Sequence, residues 1–251
     1  MLGCPMRVTE YWQTYYPVHA EWKKPGKGDE EAAYGYGDES FIKLLYDGTM
    51  AACALKEPDE EFDLEASDRF PPTHYASNPP KLRFLEFLIR LSGAKRALEL
   101  GSFIGISGLY FAKALPEDGE LVTVEKFDHF AEIAQRNFTR NGLAEKVTLH
   151  QADAMSFVST LPQEELFDFI FIDGDKGNYL PYFEALEPHL SKKGVMVVDD
   201  VFFHGDAMVD TPLTDKGQGV KDLLKAVEKR DDLVRSMLPV GGGGIMLLMR
   251  K

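Results

Sequence analysis

The chain has 251 residues, enough to bury one sizeable α/β core. Asp and Glu number 41 against 28 Lys and Arg, a formal net charge of −13, and so acidic a surface argues against a nucleic-acid or membrane-surface partner. No apolar run approaches the ~20 residues of a membrane span, the N-terminal MLGCPMRVTEYWQ lacks the apolar stretch of a secretion signal, and the two cysteines, Cys4 and Cys53, stand in no metal-ligand spacing, so a cytoplasmic protein with free thiols is expected.

Residues 1 to about 37 mix aromatics, glycine and charge, with KKPGKGDEE at 23–31, and predict an irregular arm or cap. From Ser40, FIKLLYDGTMAACAL has helical apolar spacing behind a Ser N-cap. Residues 57–80 are acidic and then proline-rich, which predicts a loop. Lys81 to Ser92, KLRFLEFLIRLS, predicts an amphipathic helix, and the prolines before it suit a helix start.

Beyond this point the pattern becomes regular. Strand candidates at 96–101, 121–126, 147–152, 167–173 and 194–200 alternate with helical segments at 105–115, 127–141, 154–161 and 178–190. Short β-rich runs separated by helices predict βαβ units and a parallel sheet covered on both faces. A helix at 217–230 is followed by LVRSMLPV (233–240), four glycines and IMLLMRK (245–251), which predict an antiparallel hairpin. The expectation is an α/β fold with a seven-stranded, mostly parallel sheet ending in that hairpin. It forms a single domain, with 1–75 as an arm that shapes a pocket over a core of 76–251.

Five segments carry chemistry. ELGSFIGISG, Glu99 to Gly108, runs from a strand end through two glycines into a helix, so its backbone can approach a ligand. Its G-x-x-x-G spacing differs from the dinucleotide pattern, and an acidic residue two before the first glycine suits a cationic group better than a phosphate. Glu125, at the end of the next strand, can accept the ribose hydroxyls of an adenosine. QADAM, Gln151 to Met155, could meet an adenine edge, or Asp153 could simply cap the next helix. FIDGDK and VVDD end two neighbouring strands and should bring Asp173, Asp175, Asp199 and Asp200 to one crevice. Mutual repulsion of four carboxylates is relieved by a hard divalent cation such as Mg²⁺ or Ca²⁺, although some of them could instead cap helices. Lys176 beside such an ion would lose its proton more readily, which suits a general base. The six histidines form no ligand spacing, and no GxSxG or P-loop lysine motif supports a hydrolase or NTPase.

From about Ala76 to Lys251 the chain resembles the cation-dependent class I O-methyltransferases, the group of the catechol and caffeoyl-CoA O-methyltransferases. The stretches that carry the likeness are LSGAKRALELGSFIGIS, ALPEDGELVTVEK, FDFIFIDGDKGNYLPYF and KKGVMVVDDVFFHGD. The resemblance implies a Rossmann-like methyltransferase fold and S-adenosylmethionine as cofactor. Ser77 aligns with a cofactor contact, and Glu99, Gly101, Phe103 and Ser107 line the methionine end. Glu125 holds the ribose, Asp153 and Ala154 lie at the adenine, and Asp175 and Tyr182 lie beside the cofactor. Asp173, between cofactor and metal, joins Asp199 and Asp200 in binding the cation, and Lys176 is the base. The implied acceptor is a small phenol or catechol, and the implied assembly a homodimer.

The family's fifth-strand motif is usually Asp-Asn, whereas this chain has Asp199–Asp200, one more negative charge at the metal. Residues 1–75 match the family poorly, so acceptor identity does not carry over. The rival readings are a methyltransferase acting on nitrogen or on a macromolecule, a nicotinamide oxidoreductase, and a non-catalytic binding module. A macromolecular target would favour a basic face, the oxidoreductase lacks its phosphate-type glycine spacing, and Lys176 with its aspartates weighs against the module.

Overall fold

The computed structural model describes residues 39–66, 77–240 and 243–251. The arm predicted over 1–37, with Cys4, and part of the four-glycine turn lie outside the described residues. The chain divides into two compact units, Met1–Leu55 and Lys56–Lys251. In the first, the helix expected from Ser40 spans Glu39–Ala52 (α1) and is followed by the exposed free thiol of Cys53.

In the second unit seven apolar runs pair into one sheet. They are β1 (Arg96–Leu100), β2 (Glu120–Glu125), β3 (Val147–Gln151), β4 (Phe167–Ile172), β5 (Leu190–Asp199), β6 (Leu233–Leu238) and β7 (Ile245–Arg250). Their order is β3-β2-β1-β4-β5-β7-β6. The first five are mutually parallel, and β7 runs antiparallel to both β5 and β6, as the terminal hairpin predicts. The helices are α2 (Pro58–Glu61), α3 (Pro79–Ser92), α4 (Ile106–Ala114), α5 (Asp128–Arg140), α6 (Ala154–Val158), α7 (Tyr179–Leu186) and α8 (Asp215–Glu228).

The central strands alternate between two buried faces. Leu98, Leu100, Ile170, Ile172 and Val198 pack against Tyr179, Phe183, Leu223 and Val227. Ala97, Phe169, Phe171 and Val197 pack against Leu85, Leu109, Phe111 and Phe138. Burial on both faces is why these strands read as near-continuous apolar runs.

Several boundaries differ from the sequence expectations for local reasons. α3 starts at Pro79, because its two prolines occupy positions whose N–H has no helical partner, and the Asn78 side chain accepts from Lys81 N at 3.0 Å. In the described part of the loop expected over 57–80, the one-turn helix α2 is opened by Pro58 and by reciprocal bonding between Glu57 and Glu60, and residues 67–76 lie outside the described residues. Glu61 then accepts from Lys113 Nζ (2.5 Å), Tyr110 Oη (2.9 Å) and Arg83, which ties α2 to α3 and α4 within the second unit. α6 ends early, where the Ser159 and Thr160 hydroxyls donate back to the Ser156 and Phe157 carbonyls at 2.7 Å. Pro188 cannot donate within a helix, so α7 yields to a short turn at Glu187–His189 and β5 starts at Leu190.

Candidate active site

Strand order reverses between β1 and β4, and in open α/β sheets ligands bind beyond the strand ends at such a point. The loops ELGSFIG and FIDGDK leave the sheet there. Asp173 N donates to Leu100 O at 2.9 Å, locking the two exits together. Gly101 has φ +99°, and a Cβ on it would stand 2.3 Å from the Asp173 carbonyl oxygen, so no other residue fits. Gly105 (φ +87°) then turns the chain into α4.

These exits border an open cleft lined by Ser77, Gly101, Ser102, Phe103, Ile106, Ser107 and Asp173. Five of the seven are residues the sequence singled out; Ser102 and Ile106 are additions. Ser102 Oγ is buried with no hydrogen-bond partner, a polar atom that only the folded loop reveals.

The other cofactor candidates lie around this cleft rather than in its wall. Glu99 is fully buried and accepts from Thr123 Oγ1 (2.6 Å) and from Ser107 Oγ (2.5 Å), a residue of the cleft wall. Burial pushes its carboxyl up to about 7, against the pull of those two hydroxyls. Glu125 is also buried and raised by burial; it accepts from Phe103 N at 2.8 Å and Phe127 N at 2.9 Å, tying the glycine loop to the entry of α5. Asp153 is exposed and caps α6 through Met155 N and Ser156 N, with Lys126 Nζ 3.2 Å away, and Ala154 is the first residue of that helix. Tyr182 is buried with its ring against Gly174, and burial together with Asp175 and Asp153 pushes its hydroxyl up to about 12.

Beside the cleft lies a charged cluster. The parallel register Ile172↔Val198 places the ends of β4 and β5 side by side, and so Asp173 near Asp199. Lys176 Nζ stands 3.4 Å from both Asp173 Oδ1 and Asp200 Oδ2. Asp199 is buried; its Oδ2 accepts from Lys81 Nζ at 2.5 Å and Ser77 Oγ at 3.4 Å, while its Oδ1 has no hydrogen-bond partner. Asp200 has φ +53°, a left-handed conformation that Asp and Asn tolerate better than most residues.

Asp175 does not join the cluster. It is exposed and caps the turn Lys176–Asn178, accepting from Gly177 N and Asn178 Nδ2. The expected convergence of four carboxylates is therefore one of three, because the local cap captures the fourth. Among the described residues no three His, Cys, Asp or Glu side chains form a ready-made ligand set, since lysines hold the aspartates.

Burial raises the Asp173 carboxyl, and Asp199 raises it further. Burial pulls the Lys176 ammonium down, but Asp173, Asp200 and Asp199 outweigh it and hold its pKa above the ordinary lysine value. The protein's own groups thus oppose the easy proton loss expected of Lys176. The fully buried Tyr179, whose ring lies 5.6 Å from Lys176 Nζ, has an unpartnered hydroxyl raised by burial and by the same aspartates.

A family model described as O-methyltransferase matches residues 68–251. Caffeoyl-CoA O-methyltransferase 1 of Zea mays is 29% identical over 233 residues, covering 87% of this chain and 90% of the relative. The catechol O-methyltransferase of Niastella koreensis is 37% identical over 141 residues, covering 55% and 63%. Among solved structures, the O-methyltransferase TomG of Streptomyces achromogenes, in complex with SAM, superimposes with a TM-score of 0.68 at 27% identity, covering 84% of this chain and 96% of that one. The chain belongs to the O-methyltransferase family, the S-adenosylmethionine-dependent group that includes the caffeoyl-CoA and catechol enzymes.

Proposed function

We propose that the chain transfers the methyl group of S-adenosylmethionine to a hydroxyl of a small catechol-like phenol, with a divalent cation at the aspartate cluster. The observation that carries this reading is the double membership of Asp173, which both lines the cleft and belongs to the cluster of Lys176, Asp199 and Asp200. A methyl donor in the cleft would therefore lie beside the cluster that holds Lys176.

Ser77, Gly101, Phe103 and Ser107 would hold the methionine end, with the Ser102 hydroxyl a further donor. Each Glu125 oxygen accepts one backbone N–H, which leaves lone pairs for ribose hydroxyls. Asp153 and Ala154 would meet the adenine, with Asp175 and Tyr182 beside the cofactor.

Asp173, Asp199 and Asp200 would hold the cation. The set fits a hard ion such as Mg²⁺ or Ca²⁺, being all oxygen and including the buried, unpartnered Asp199 Oδ1. When bound, such an ion acidifies a coordinated hydroxyl. The ion's charge would offset the aspartates that hold Lys176 protonated, and the neutral amine would then take the hydroxyl proton at Nζ. The acceptor oxygen then bonds to the methyl carbon as the carbon–sulfur bond breaks, and the sulfonium leaves as a neutral thioether. Close, in-line positioning supplies much of the rate.

A screen of labelled methyl transfer from S-adenosylmethionine over phenolic acceptors tests the reading. Transfer to catechol that EDTA abolishes and Mg²⁺ or Ca²⁺ restores is expected. Transfer to amines or isolated hydroxyls only, indifferent to EDTA, would replace it with the other small-molecule reading. The proposal includes a cytoplasmic homodimer, for which light scattering should give twice the chain mass. Among the described residues no helix is long and apolar enough to cross a membrane.

A further inference from the structure

Lys81 occupies an unfavourable place for a lysine. It is buried, and it lies in the first turn of α3, where the helix dipole disfavours a cation. Burying an ammonium is costly unless it is paired. Its Nζ is paired, 2.5 Å from Asp199 Oδ2, with side-chain exposures of 11% and 4%. Lys81 is therefore answering the charge of the aspartate cluster. Asp173, Asp199 and Asp200 carry three negative charges when ionised, and Lys176 answers one of them through its contacts with Asp173 and Asp200. Lys81 is the second cation, and it meets the carboxylate that Lys176 does not bridge.

We propose that Lys81, through its pairing with Asp199, is a built-in counter-charge to the three-aspartate cluster, and that it sets the cluster's affinity for divalent cations. It engages Asp199 through Oδ2, leaves Oδ1 as that residue's open donor, and opposes a second cation by charge. This inference rests on the cation reading above. A neutral residue at position 81 should therefore tighten divalent binding. A residue whose only task was to orient Asp199 would do the opposite, since losing such support loosens a metal by about ten- to a hundredfold. The two roles differ in sign.

The test is Mn²⁺ binding to the full chain, read from the electron paramagnetic resonance signal of the free ion. Mn²⁺ favours the same oxygen ligands as Mg²⁺. Lys81→Gln, which keeps a hydrogen-bond donor and removes the charge, should bind Mn²⁺ about tenfold more tightly than wild type. Lys81→Arg should match wild type. Asp200→Asn should bind more weakly, and Lys81→Gln with Asp200→Asn should return to within about threefold of wild type, because one charge of each sign has gone. Lys81→Met replaces Lys81→Gln if circular dichroism shows that the latter is unfolded. Equal or weaker binding by the neutral variants overturns the proposal while the cation reading stands. Binding by a neutral variant but not by wild type supports it. Failure of every chain to bind Mn²⁺ overturns the cation reading and this inference together.

Discussion

The Asn137 side chain donates to the carbonyl of Ile104 at 2.8 Å, inside the glycine loop that borders the cleft. Asn137 is fully buried, and its amide also accepts from Glu65 N at 2.6 Å and donates to Glu65 O at 3.1 Å. One α5 residue thus fixes the cofactor loop to the chain segment that precedes α3. Asn137→Ala would orphan these backbone groups at a cost of about 1–3 kcal/mol for each one left buried. The melting temperature should fall by about 5 °C or more, and S-adenosylhomocysteine should bind more weakly in calorimetry. An unchanged melting temperature would show that the bonds are incidental.

Gly101→Ala isolates the close approach of the two loops. A methyl there meets the Asp173 carbonyl in a left-handed backbone, whereas Gly142, with φ +68°, has nothing within 4 Å of a new Cβ. Gly142→Ala should therefore cost only about 1 kcal/mol, the strain of the conformation alone. Gly101→Ala should cost several times more and abolish cofactor binding. Urea unfolding with cofactor titration compares them, and equal losses would refute the steric account.

Lys176→Ala should lower kcat by about 10²–10⁴-fold, the usual worth of a positioned acid or base. Cofactor affinity should stay close to wild type, because Lys176 is absent from the cleft's lining. Turnover like that of wild type would remove Lys176 from the chemistry.

Much of this site was legible in the sequence because it hangs on strand ends. Asp173 and Asp199 follow apolar runs, so parallel pairing alone brings them together. Asp175 misled because its neighbourhood resembles that of Asp173 until the turn at Lys176–Asn178 captures its carboxylate. Lys81 was hidden for a different reason. A lysine in the first turn of an amphipathic helix reads as solvated, and only the approach of α3 to the end of β5 buries it. Asn137 was equally silent: its partners, Ile104 and Glu65, are remote in sequence, and their backbone groups carry no residue code.

Glu99 supplies a pH dependence with a definite sign. Its ordinary value of 4.5 becomes about 7 in the folded chain, chiefly through burial. The folded state therefore holds this proton more tightly than the unfolded state does. Below about 4.5 both states are protonated and the group contributes nothing to pH dependence. As pH rises from about 4.5 to about 7, the unfolded chain gives up the proton first, so Glu99 costs the apoprotein stability throughout that window; above it the penalty is constant. Asp173, also raised by burial, slopes the same way in this window, so the informative quantity is the difference between Glu99→Gln and wild type. That difference, from urea unfolding at several pH values, should move in favour of the variant between pH 5 and 7 and then level off. The cofactor's cationic sulfonium and ammonium, held near Ser107, would favour the carboxylate form of Glu99. Binding of S-adenosylmethionine near pH 7 should accordingly release protons, seen in calorimetry as a heat that depends on the buffer's ionisation enthalpy, and Glu99→Gln should diminish the release. Parallel stability profiles in the two chains would mean that Glu99 remains charged in its buried position, and that Ser107 and Thr123 outweigh the burial.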